Sequence, residues 1–175
     1  MIGKGVSRSN ATQLGDYLLK EHGAEAVRVL DVRGTIAADV KGAMEEMESI
    51  AKATKCDKHL YHAVLSPQRG QSFTDAQKLY AVEILAKQLG LEHHARLVVE
   101  HEKQGEPHIH IAFSRINPDT LKAVRMSHDR VAIHTAARII EHDLGHGFIF
   151  TGQHEQCDTP PSRAGQEGCC KMDGG

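Results

Sequence analysis

The chain has 175 residues, of which 40% are hydrophobic and 25% charged, enough for one domain with a real hydrophobic core. It has no apolar run of bilayer-spanning length and no apolar stretch at Met1-Ile2-Gly3-Lys4, so a cytoplasmic protein without membrane insertion is expected. The net charge of -2 argues against a broad basic surface for non-specific nucleic-acid binding. Three of the four cysteines lie in the polar C-terminal segment, so no disulfide framework is indicated.

Residues 2–6 read as a short first strand. Asn10 followed by Gln13 has capping-box spacing and predicts a helix over 11–21, with Leu14, Tyr17 and Leu18 on one face. Residues 27–32 read as a strand. Ile36, Val40, Met44, Met47 and Ile50 recur at helical spacing and predict an amphipathic helix over 35–54. A strand over 59–65 ends at Ser66-Pro67. Thr74 caps a helix to Leu89 that Gly90 stops. Strands follow at 95–102 and 108–116. Ser127 is expected to cap a last helix reaching Leu144, and a short strand is expected at 147–151. The polar remainder, 151–175, reads as a disordered tail or linker stub after a domain of residues 1–150. This order predicts an α+β fold, an antiparallel sheet with helices packed on one face.

Thirteen histidines are unusual for this length. His108 and His110, two apart on a strand, point to one face. If Gln104-Gly105 is a two-residue turn, Lys103 faces Glu106 and His101 faces His108, bringing a third imidazole to that face. Shifting the pairing by one would send His101 to the other side. Three imidazoles on neighbouring strands are a candidate site for a divalent cation with open positions for a substrate oxygen. The remaining histidines, His62 among them, lack such geometry and are expected to be surface or structural.

Three stretches then carry a resemblance. They are Leu14-Gly15-Asp16-Tyr17-Leu18-Leu19, then Tyr61-His62-Ala63-Val64-Leu65-Ser66, then His101 through His110 followed by Arg115-Ile116-Asn117-Pro118. In this order they resemble the relaxase, or mobilisation nuclease, family of conjugative and mobilisable plasmids, within the HUH endonucleases. The resemblance spans residues 1–145 and implies a two-layer, palm-like nuclease domain. It implies Tyr17 as nucleophile, His101, His108 and His110 as ligands of Mg²⁺ or Mn²⁺, and Ser66 as a DNA contact; by charge, Lys4, Arg8, Arg69, Arg115, Lys122, Arg125 and Arg130 are candidates for contact with the DNA backbone. It also implies single-stranded DNA at a transfer origin as substrate, with relaxosome accessory proteins and a type IV secretion coupling protein as partners. A tyrosine phenol, with an ordinary pKa of about 10, needs a metal field or a base nearby to attack phosphorus at neutral pH. The family often has an acidic residue where this chain has Lys103, and commonly Asn where it has Ser114. Glu102, a catalytic candidate, would need a bulge to face His101. Two rival readings remain: a non-catalytic DNA-binding relaxosome component, and a metal-dependent phosphodiesterase that does not use Tyr17.

Overall fold

The computed structural model describes residues 1–20, 26–68 and 70–145. Nine elements follow in order: β1 (Ile2–Arg8), α1 (Ala11–Leu19), β2 (Ala26–Arg33), α2 (Val40–Lys52), β3 (Leu60–Ser66), α3 (Asp75–Leu89), β4 (Arg96–Lys103), β5 (Glu106–Ser114) and α4 (Asp129–Asp143). The strands form one antiparallel sheet in the order β1-β3-β5-β4-β2. The strand expected at 147–151 and the tail lie outside the described residues.

The α+β class with an antiparallel sheet is as expected. The helices, however, divide between both faces. Successive strand residues alternate between faces, and here both alternating sets are apolar. Leu60, Leu97, Val99 and Ala112 pack against Leu14 and Leu18 of α1 and Met44 and Met47 of α2. Tyr61, Leu65, Val98, Ile109, Ile111 and Phe113 pack against α3 and α4. A third layer follows from that two-sided apolarity.

Local chemistry sets the helix ends. Asn10 accepts from the Gln13 amide and starts α1. Thr74 and Gln77 make a reciprocal capping box on α3, and Gly90 ends it in the left-handed region at φ 69°. The second helix begins later than its periodicity predicts, at the Asp39 cap rather than near Thr35. There the amides of Ile36 and Ala37 donate to the Glu46 carboxylate, and Ile36 stands 98% exposed instead of joining the buried face. The last helix is not capped by Ser127; His128, at φ 64°, occupies the cap without a side-chain bond.

Ion pairs anchor α3 to the sheet. Buried Arg96 of β4 donates to Asp31 of β2 and Glu83 of α3. Glu100 of β4 bridges Lys78 of α3 and Arg28 of β2. Burial opposes the charge on Glu100, yet hydrogen bonds from Lys78 and Arg28 leave its carboxyl pKa below the usual value.

Candidate active site

The β4–β5 turn fixes the site. Gln104 and Gly105 both take positive φ, 54° and 72°, as a two-residue hairpin of the primed type requires. The ladder then pairs Lys103 with Glu106 and His101 with His108, the register predicted from the turn. No register shift interrupts this ladder. His101, His108 and His110 therefore share a face, with β5 at the centre of the sheet.

A fourth imidazole joins them. β3 lies on the other side of β5, and Val64 pairs with His110, which puts His62 on the histidine face one diagonal away. The His62 and His110 rings stack with centroids 5.4 Å apart, and His62 Nε2 lies 3.2 Å from His110 Nδ1. His101 and His110 have centroids 4.4 Å apart. His62 was expected to be surface or structural because the β3–β5 pairing joins strands distant in sequence. Its signal was parity: His62 shares an even-numbered face with Ser66 on the same strand.

Tyr17 hangs from α1 over this cluster. Its ring lies edge-on to His62 and to His110, each at 5.8 Å between centroids, and 6.5 Å from His101. It is 41% exposed, so a substrate can reach it. Buried Leu14 and Leu18 on the same helix seat it there. Ser66, at the end of β3, has Oγ 2.9 Å from His108 Nδ1, so it orients an imidazole directly. His101 Nε2 lies 2.7 Å from the Leu18 carbonyl, tying α1 to β4. A carbonyl only accepts, so Nε2 donates.

Two of the imidazoles, His62 and His110, are held neutral by their surroundings. Burial, then the charges of Arg8 and His101, pushes the pKa of His62 down to about 4. Burial, then His101, His62 and His108, pushes that of His110 down to about 3. Neutral imidazole is the ligating form. Among the described residues no three His, Cys, Asp or Glu side chains converge as a formed metal cage. The donor chemistry nonetheless fits a divalent ion. Each of His101, His108 and His110 spends one ring nitrogen on a neighbour, leaving the other outside those bonds.

Two predicted residues stand apart. Glu102 keeps regular strand geometry opposite Pro107, so it points to the face away from His101, and no bulge re-aims it. Arg115 follows the far end of β5. Its Nε and Nη2 donate to the Val124 carbonyl and its Nη1 to that of Lys58, so its guanidinium clamps the 116–124 loop.

The family model described as "Relaxase: MobA/VirD2-like, nuclease domain" matches residues 17–146. Protein MobA of Acidithiobacillus ferrooxidans is 31% identical over 96 residues, 54% of this chain and 24% of that protein, so the match spans about a quarter of the relative's length. The match begins at Tyr17 and takes in every histidine of the cluster, and on its extent the chain belongs to the MobA/VirD2-like relaxase nuclease-domain family.

Proposed function

We propose that this domain nicks one strand of single-stranded DNA at a plasmid transfer origin, with Tyr17 as the nucleophile. The observation that carries this reading is the seating of an accessible Tyr17 ring against His62, His101 and His110. Tyr17 Oη attacks the scissile phosphorus in line, and the bond to the 3′ oxygen breaks. The phenol gives up its proton, the departing oxygen takes one up, and the products are a 5′-phosphotyrosine link and a free 3′-hydroxyl. One ester replaces another, so no nucleoside triphosphate is needed.

His101, His108 and His110 would hold Mg²⁺ or Mn²⁺. Such an ion would polarise a non-bridging phosphate oxygen, and three neutral ligands would leave it both of its charges. Ser66 holds the His108 ring, and α1, tied to β4 through Leu18 and His101, holds the phenol over the same face. Transfer-origin DNA is the substrate of this activity, and relaxosome accessory proteins and a type IV secretion coupling protein are the further partners that DNA mobilisation would call for. The described residues contain no helix long and apolar enough to cross a membrane.

The test is incubation with single-stranded oligonucleotides spanning a candidate transfer origin, with and without Mn²⁺, followed by a denaturing gel. A covalent protein–DNA adduct that needs Mn²⁺ and disappears in Tyr17→Phe is expected. Cleavage that survives Tyr17→Phe would overturn the tyrosine mechanism. Binding without any adduct would favour a non-catalytic relaxosome component.

A further inference from the structure

Beside Tyr17 a cavity of about 350 Å³ opens between the end of β1 and the first turns of α1, within the size range of small-ligand sites. Arg8, Ser9, Asn10, Gln13, Tyr17 and His62 line it. Among the described residues the side chains of Arg8, Ser9 and Gln13 make no hydrogen bond or ion pair within the protein. Asn10 spends its side-chain oxygen on the Gln13 amide and keeps its NH₂.

We propose that this cavity is a nucleotide pocket that reads one base beside the scissile phosphate, a reading that rests on the nicking activity above. Each wall supplies a different part of a nucleotide's chemistry. Arg8 offers the planar, permanently charged fork suited to phosphate. The Gln13 amide offers a donor and an acceptor together, the pattern that distinguishes base edges. The exposed ring of Tyr17 offers stacking surface, scarce in a chain that is only 4% aromatic and has no Trp. The position fixes which nucleotide is meant. Because Tyr17 is both the pocket wall and the nucleophile, the occupant is joined to the attacked phosphate. A chain with a net charge of -2 cannot rely on diffuse attraction for DNA, so one unpaired arginine at this spot carries unusual weight.

The experiment captures strands from a random-sequence single-stranded DNA pool on the wild-type protein with Mn²⁺ and sequences them around the linked end. Wild type is expected to favour one base next to the cut about ten- to a hundredfold. Gln13→Ala should erase that one preference and keep the others. Arg8→Gln should lower capture about tenfold on every sequence and reduce the salt dependence of binding by about one phosphate contact. Among the described residues neither side chain has a hydrogen-bond or ion-pair partner, so unchanged thermal melting serves as the folding control. Identical motifs and yields from wild type and both variants would overturn the pocket while leaving the nicking activity standing. If wild type links to no strand, the nicking activity fails, and the pocket is judged separately by titrating a labelled oligo-dT into Tyr17→Phe protein. A tenfold weaker Kd with Arg8→Gln added supports the pocket there, and an unchanged Kd overturns it.

Discussion

Ser66 and the Leu18 carbonyl hold His108 and His101 before any ligand arrives. Such outer partners fix ring orientation and commonly alter metal affinity by about ten- to a hundredfold. His108→Ala should therefore abolish Mn²⁺ binding in a calorimetric titration, and Ser66→Ala should weaken it about tenfold. Retained affinity in His108→Ala would remove that residue from the site. Glu102 gives the opposite expectation. It faces away from His101, so Glu102→Gln should leave adduct yield within about twofold; a tenfold loss would show that the strand re-forms around substrate. Arg115→Gln should cost about 2 kcal/mol of stability through its lost carbonyl bonds and leave DNA affinity unchanged, by denaturant melts and anisotropy.

The β4–β5 hairpin was the most legible element because its partners are neighbours in sequence and a short turn leaves few registers. The same logic fails for β3 and β5, joined only through α3 and β4, and so His62 went unplaced. Helix starts were legible where a side chain caps the backbone, as at Asn10 and Thr74. They were misjudged where a distant group intervenes, as when Glu46 draws the Ile36 and Ala37 amides out of helical use. The turn is also the element to perturb. One residue inserted between Gln104 and Gly105 should move His101 off the face of His108 and His110. Mn²⁺ affinity and adduct formation are expected to vanish while the far-ultraviolet dichroism of a folded α+β chain persists. A fully active insertion variant would mean that the site does not depend on this pairing.

At the scale of the molecule, two cores share one sheet, and the division was not legible. Helices were expected on one face only, whereas most of β3, β4 and β5 is buried on both sides. Class, strand order along the chain and the histidine face were legible because each follows from local spacing. The ion pairs that anchor α3 link residues far apart in sequence and were not foreseen. They set a pH dependence. Hydrogen bonding from Arg96 holds the Glu83 carboxyl below its ordinary value of 4.5. A depressed carboxyl contributes stability above its unfolded pKa and loses it as pH falls through the folded value. Glu83→Gln should therefore cost about 1 kcal/mol at pH 7, after solvent screening, and its gap from wild type should close as pH drops below about 4.5 in parallel thermal melts. The placement of His108 and His110 on the middle strand has a consequence of another kind. Amide protons along the centre of a sheet exchange with deuterium only when the whole fold opens. The strand that carries His108 and His110 thus belongs to the last part of the protein to let go, and heat should erase the proposed ion affinity and global structure together. Tyr17 rides on a separate helix above it, so a relative of this chain could re-aim its tyrosine without touching the ladder that carries the imidazoles.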